Sequence, residues 1–341
     1  MEFTVKARCK KVKRVVMGTL QRLLTIIADG AFYSGSDLAR ILGVSRSTVN
    51  NYMKKLGELG LDIHSVPGKG YQLSVPLELL DIQAMQEPLG LASLKLISNI
   101  EIKFQLPSTN SYLMSLVRAE PQSSGVACFA EMQFAGRGRR GKLWVSPVGE
   151  NIYLSVLWRF QQAPVDFACL GLAMAVAVAR AVKRIGLDLV RIKWPNDIYL
   201  NGRKMGGILL EMSGESQGPC SVVVGIGLNV SMNSFLSRYI DQKWTSLKHH
   251  FDGDVSRNKV AGIVLEELVL ALRDFQRSGF ENFKSEWRQY DVIKGRQVIL
   301  KMERTIIKGL ALGIDKSGAL LIERNGKVER FFHGEVSVCL D

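Results

Sequence analysis

The chain has 341 residues, 47% hydrophobic and 23% charged, with 45 Lys and Arg against 32 Asp and Glu for a net charge of +13. That is globular composition on a length too great for one simple core, which excludes disordered and fibrous classes and leaves two or three domains. The longest apolar run, Phe167 to Ala179, covers 13 residues; it is too short to span a bilayer and reads as a buried helix.

The first 16 residues, "MEFTVKARCKKVKRVV", form a basic extension with neither the apolar core nor the cleavage site of a secretory signal. Five cysteines (Cys9, Cys128, Cys169, Cys220 and Cys339) are dispersed, with no CxxC and no His at ligand spacing. This pattern predicts reduced thiols in a cytoplasmic protein, with no disulfide framework and no metal site. Residues 1 to 75 carry twelve Lys and Arg against five Asp and Glu, a basic unit suited to a polyanion.

Within that unit the spacing predicts a helix over 20–29, then a short helix capped by Ser34 or Ser36 with Leu38, Ile41 and Leu42 turned inward. Gly43 suits a tight turn. Ser45 caps a second helix whose Val49, Met53 and Leu56 recur at i, i+4 and i+7. This is a helix-turn-helix pattern, and "DIHSVPGKGYQL" adds a strand pair with Lys69 at its tip, a wing. Ser45, Arg46, Ser47, Asn50, Asn51 and Lys69 are side chains of the kind that bond base edges and phosphates. The same spacings also serve plain helical packing; basic charge, polar face and wing together favour DNA. Residues 76–90, "PLELLDIQAMQEPLG", read as a linker, which bounds the winged helix-turn-helix at 17–75.

Further along, Gly136 to Gly141 hold three glycines and three arginines in "EMQFAGRGRRGKLW". Leu143 stands where a P-loop needs Ser or Thr. A strand-like "LWVSPVGENIYLSVLW" follows where a dinucleotide fold needs a helix, which disfavours a nucleotide-binding oxidoreductase. Glycines let backbone N–H groups approach anionic oxygens, and arginines add forked donors. The segment is therefore expected to be a mobile lid that an anionic ligand orders. "VRIKWPNDIYLNGRKMGGILLEM" predicts two strand-like stretches, Leu189 to Trp194 and Met205 to Met212, about a turn at Asn201-Gly202. "SVVVGIGLNV" predicts a buried strand whose Gly225 and Gly227 leave room for a ligand, and "PSTN" puts Ser108, Thr109 and Asn110 before a helix. Helices are expected over Arg257–Phe275 and Glu281–Tyr290, followed by short alternating strands with Gly turns.

At these residues, "LGVSRSTVNNYMKKL", "VPGKGYQL", "PSTN", "AGRGRRGKLW", "SPVGENIYLSV", "KWPNDIYLNGRKMGGIL" and "VGIGLNV", the chain resembles the bifunctional biotin protein ligases, the biotin operon repressors. The resemblance runs from about Leu20 to the C-terminus. It implies an α+β protein: the winged domain, a mixed-sheet α/β catalytic domain over 91–290 of class II synthetase or SH2-like type, and an SH3-like β-barrel over 291–341.

It also implies the reaction. Biotin and MgATP give biotinyl-5′-AMP and pyrophosphate, and the activated carboxyl passes to a lysine of a biotin carboxyl carrier protein. Two anions must meet for the first step; at 4 Å they repel by about 1 kcal/mol in water and about 4 kcal/mol at an effective dielectric of 20. Preplaced cations offset that repulsion. By motif position, Arg137, Arg139 and Lys204 are the catalytic cations. Ser108, Thr109, Asn110, Gln133, Gly138 and Gly207 join them in holding biotin. Trp144, Asn229 and Trp244 lie with the nucleotide. Lys193, Asn196 and Asp197 belong to the signature; Asp197 either helps position or deprotonate the acceptor lysine, or braces its turn.

Regulation follows by the same resemblance. Biotinyl-AMP, acting as corepressor, orders the loop and favours a homodimer whose two winged domains reach operator DNA. A ligase without repression, or a biotin-sensing transcription factor without catalysis, are the alternatives. Leu143 and Phe134 depart from the family's usual residues, and the basic extension is unusual.

Overall fold

The computed structural model describes residues 18–162, 167–214, 218–232, 235–302, 305–332 and 334–338; the basic extension, Cys9 and Cys339 lie outside them. Helix α1 covers 18–27. Helix α2, Gly35–Leu42, starts on Ser34, whose hydroxyl accepts from Asp37 N–H at 3.0 Å, and stops on Gly43 at φ 67°, a left-handed position that favours glycine. Helix α3, Arg46–Glu58, is capped by Ser45, which accepts from Thr48 N–H at 3.1 Å. Val49, Tyr52, Met53 and Leu56 face inward. The inward face of α2 is Leu38, Ala39 and Leu42; Ile41, expected inside, is exposed, because the buried face centres near Leu42, about 100° round the helix from Ile41. Strands β1 (Ile63–Val66) and β2 (Gly70–Leu73) form the wing, with exposed Lys69 in its turn.

The segment expected as a linker is folded onto the protein. Leu80, Met85 and Leu89 enter the main core, and α4 (Ile82–Gln86) and α5 (Leu91–Leu94) pack along a long helix farther on. Glu78 caps the start of that helix, accepting from Ser256 Oγ at 2.8 Å, from Asn258 Nδ2 at 2.9 Å and from the Arg257 N–H. Prolines at both ends suggested a connector; its buried leucines and methionine decide otherwise.

A seven-stranded mixed sheet follows, built from β3 (Asn99–Leu106), β4 (Val126–Gln133), β5 (Ile152–Phe160), β6 (Val190–Lys193), β7 (Asp197–Leu200), β8 (Arg203–Gly214) and β9 (Cys220–Leu228). Its order is β3-β4-β5-β9-β8-β7-β6, and only β3 and β4 run parallel. Helix α6 (Thr109–Ala119) covers one face. Helices α7 (Phe167–Arg184) and α8 (Arg257–Ser278) cover the other, and α9 (Glu281–Tyr290) packs beside α7. Successive residues of β4 go to opposite faces: Val126 and Cys128 to the α6 side, Ala127 and Phe129 to the main core. Burial pushes the Cys128 thiol up to about 12, so it is an inert part of the packing.

The expected two strands around Asn201-Gly202 are three. A cis Trp194-Pro195 bond turns the chain before β7, which pairs with both neighbours. Strands β10 (Gln297–Lys301), β11 (Ile306–Ile314), β12 (Leu320–Arg324), β13 (Lys327–Phe331) and β14 (Glu335–Val338) make a separate antiparallel sheet, ordered β13-β12-β11-β10-β14. Val298, Leu300 and Ile322 join the core of the large sheet. No helix among the described residues is long and apolar enough to cross a membrane.

Candidate active site

A cleft of about 1000 Å³, its open mouth included, lies over the ends of β8 and β9. Five chain segments reach it: the start of α6, the 133–144 loop, the β6–β7 turn, and the glycine positions of β8 and of β9. The small C-terminal sheet adds Gly334 and Val336, and the 240s loop adds Gln242.

One end is a net of neutral polar groups. Ser108, Thr109 and Asn110 are each nearly fully buried at the N-terminus of α6, and the Ser108 hydroxyl makes no capping bond. The Gln133 amide oxygen accepts from Thr109 N–H at 2.8 Å, and its Nε2 donates to Ser146 Oγ at 3.1 Å. Ser155, from β5, bonds Thr109 Oγ1 and Asn110 Oδ1, both at 2.6 Å. These bonds fix each amide's orientation before any ligand arrives. Ser155 escaped the sequence reading because nothing local marks it; strand pairing alone brings it beneath Thr109.

The other end is charged. Asp197 accepts from Lys204 Nζ at 2.7 Å and faces Lys193 Nζ at 3.9 Å, and Lys193 also donates to Tyr199 Oη at 2.8 Å. Asn196 donates to the Ile208 carbonyl at 2.7 Å and accepts from Arg139 Nη1 at 3.3 Å. The β6–β7 turn therefore holds one cation on each side, Arg139 from the loop and Lys204 from β8.

The glycine-arginine loop is a folded hairpin. Gly138 N–H donates to the Lys142 carbonyl at 2.7 Å, Trp144 N–H to that of Gly136 at 2.9 Å, and Arg140 takes a positive φ of 54°. The sequence suggested mutually repelling cations without anchors. Each instead has its own partner: Arg137 pairs with Glu211 at 2.9 Å, Arg139 with Asn196, and Arg140 Nη1 with the Lys301 carbonyl at 3.3 Å. The expectation missed these anchors because all three lie far away in the chain.

Room over the strand glycines is taken by the protein's own side chains. A methyl at Gly227 would overlap the Trp144 indole, and one at Gly225 would overlap Asn110 Oδ1. Lys204 Nζ lies 5.6 Å from the Trp144 ring centroid, and the indole Nε1 is buried with no partner among the described residues.

Nearly all sequence-named site residues meet here: Ser108, Thr109, Asn110, Gln133, Arg137, Gly138, Arg139, Trp144, Lys193, Asn196, Asp197, Lys204 and Gly207 all line the cleft. Asn229 and Trp244 are not among the residues that line it. Asn229 Nδ2 donates to the Thr245 carbonyl at 3.0 Å, and residues 243–245 run beside Lys204, whose N–H donates to the Lys243 carbonyl at 3.1 Å. The Trp244 ring sits 5.5 Å from that of His249.

In the winged domain, Arg46, Ser47, Asn50, Asn51 and Lys69 are all exposed, as the pattern predicted. Ser45 is exposed but spends its hydroxyl on the cap. Tyr71 Oη donates to Asn50 Oδ1 at 3.4 Å, tying α3 to the wing.

Residues 101–229 match the biotin/lipoate A/B protein ligase family, 19–72 an HTH domain and 294–338 the biotin protein ligase C terminal domain. The chain is 38% identical over 317 residues to the bifunctional ligase/repressor BirA of Escherichia coli, covering 93% of this chain and 96% of that one. It is 30% identical to the protein of the same name from Bacillus subtilis, over 91% of this chain and 95% of that one. Among solved structures, the biotin protein ligase from Aquifex aeolicus in complex with biotin and ATP superposes with a TM-score of 0.61 at 27% identity, over 72% of this chain and all of that one.

Proposed function

The chain belongs to the bifunctional ligase/repressor family of biotin protein ligases, and from that premise we propose how its cleft and its winged domain do both tasks. It is a biotin–protein ligase and a repressor. The observation that carries the ligase reading is one cleft in which a neutral polar net at one end faces two cations bracketing the β6–β7 turn at the other.

Biotin enters with its ureido group toward Ser108, Thr109, Asn110 and Gln133, since a desolvated urea needs donors and acceptors already in place. Gly138 and Gly207 give its chain backbone-close passage. Its carboxylate then lies toward Arg139 and Lys204. A carboxylate oxygen attacks the α-phosphorus of ATP, the bond to the bridging oxygen breaks, and pyrophosphate leaves with its Mg²⁺. Arg137, Arg139 and Lys204 offset the repulsion of the approaching anions and stabilise the charge gathered on the phosphoryl oxygens.

The acceptor lysine's amine then attacks the acyl carbon of biotinyl-5′-AMP. An amide forms, AMP leaves with the electron pair, and the amine loses its proton. Both Asp197 carboxylate oxygens face lysines, so we assign Asp197 the holding of Lys204 rather than proton removal. Asn229 and Trp244 act from outside the lining, fixing the strand that carries Lys204, with Trp244 bordering the nucleotide's path.

We further read biotinyl-AMP as corepressor. It settles the glycine-arginine loop, favours a homodimer, and so presents two winged domains to operator DNA through Arg46, Ser47, Asn50, Asn51 and Lys69. The five-stranded C-terminal sheet corresponds to the family's SH3-like barrel, the acceptor is a biotin carboxyl carrier protein, and the work is done in the cytoplasm. Incubation with biotin, MgATP and a carrier domain tests the ligase: pyrophosphate release and a mass gain of one biotinyl group on a single carrier lysine are expected. Pyrophosphate without carrier modification refutes the transfer half, and neither product refutes both.

A further inference from the structure

We infer that Glu211 is the latch of the glycine-arginine loop, and that through Arg137 it sets how long the activated intermediate is kept. Glu211 lies on β8 and does not line the cleft. Its Oε1 accepts from Arg137 Nη1 at 2.9 Å, while its Oε2 accepts from Asn110 Nδ2 at 3.0 Å. One carboxylate thus ties the loop to the residue that holds the polar end of the site. Arg137 reaches no other carboxylate among the described residues; its further contact is Ser111 Oγ at 3.4 Å.

The pair is only half sheltered, with the Arg137 side chain 48% exposed and that of Glu211 20% exposed. An ion pair in that setting is weak, strong enough to bias a loop and weak enough to open for entry and exit. The hairpin's own bonds, Gly138 to Lys142 and Trp144 to Gly136, lie within the loop and do not fasten it across the cleft. Fastening across the cleft falls to side chains, and the Arg137–Glu211 ion pair joins the loop to β8 directly. Arg137 is then a positioning residue as well as one of the site's cations.

The Glu211→Gln variant removes the charge and keeps an oxygen for the Asn110 amide, which separates the latch from support of Asn110. Conformational exchange of residues 136–144, measured by backbone 15N relaxation dispersion on the full chain without ligand, reads the movement of the loop as a unit. Glu211→Gln and Arg137→Gln should each speed it about two- to five-fold, the range an exposed ion pair supports. The double variant should be no faster than either single one, because the two residues make one interaction. Unchanged exchange in Glu211→Gln, or additive effects in the double, overturns the latch.

The retention half rests on the ligase reading above. Its measure is free biotinyl-AMP per pyrophosphate formed, a ratio that does not depend on the rate of adenylation. Glu211→Gln should raise that ratio about two- to five-fold. A faster loop with an unchanged ratio refutes retention alone. A parent protein that forms no pyrophosphate refutes the ligase reading while leaving the exchange result to judge the latch.

Discussion

Arg257 Nη1 meets Glu131 Oε2 at 2.7 Å with side chains 3% and 4% exposed, and the pair bolts three parts of the chain together. Glu131 Oε1 also accepts from Leu80 N–H at 2.6 Å, and Arg257 donates to the carbonyls of Asn151 and Glu78. Glu131 precedes Gln133 by two residues on β4, so the bolt holds the segment below the winged domain to the strand that ends at the cleft.

Removing one member of such a pair leaves the other charged and buried. Glu131→Ala should lower unfolding free energy by about 3–5 kcal/mol, read from urea denaturation. Replacing both by apolar residues, Glu131→Leu with Arg257→Met, should lose less than the single variant. A double variant weaker than the single one refutes the account.

Gly225 and Gly227 act through what their missing side chains permit. Gly227→Ala should push the Trp144 indole off its seat, and Gly225→Ala should displace Asn110. Overpacking of this kind costs about 1–3 kcal/mol. Calorimetry should show weakened biotin binding in Gly225→Ala, with melting temperature lowered in both. Trp144→Ala placed in the Gly227→Ala chain should recover the stability.

Glu266 gives an acid-side prediction. Burial by itself raises its pKa, but bonds from Gly90 N–H at 2.6 Å and Arg184 Nη1 at 2.8 Å outweigh it and hold the carboxyl below its ordinary 4.5. A carboxyl with a depressed folded-state pKa contributes stability that is complete above 4.5 and is lost as pH falls through the folded-state value. The stability difference between the parent and Glu266→Gln should therefore be largest near neutrality and shrink below pH 4.5, followed by urea midpoints across that range.

The proposed DNA contacts of the winged domain are separable by residue type. Lys69→Ala should weaken binding to all sequences alike and reduce the slope of log affinity against log salt by about one. Asn50→Ala should cost about 1–3 kcal/mol on the operator and little on unrelated DNA. Gel shifts with biotinyl-AMP at several salt concentrations distinguish them; equal losses on both DNAs for Asn50→Ala remove it from base reading.

Local chemistry made the elements legible: Ser34, Gly43 and Ser45 punctuate the first two helices of the reading motif as caps and turn residues must. The cleft's membership was legible too, through the glycine and cation motifs. What escaped was long-range pairing. Glu211 and Ser155 sit in ordinary strand sequence, and only sheet register brings them to Arg137 and Thr109. The extra strand β7 was hidden because the expected stretches stopped at Trp194 and resumed at Met205, and four residues after a Trp-Pro turn are too few for a pattern to mark.

The apolar cluster of the first 75 residues does not end with them. Leu77 and Leu79 continue it to Phe104 and Met132 on the neighbouring sheet and to Val148 in the turn before β5. A chain shorn of its DNA-reading part would bare that greasy seam to water, within two residues of Gln133. Shedding the repressor half is thus no clean amputation: a lineage that dropped it would have to resurface the enzyme's flank before the remainder stayed soluble.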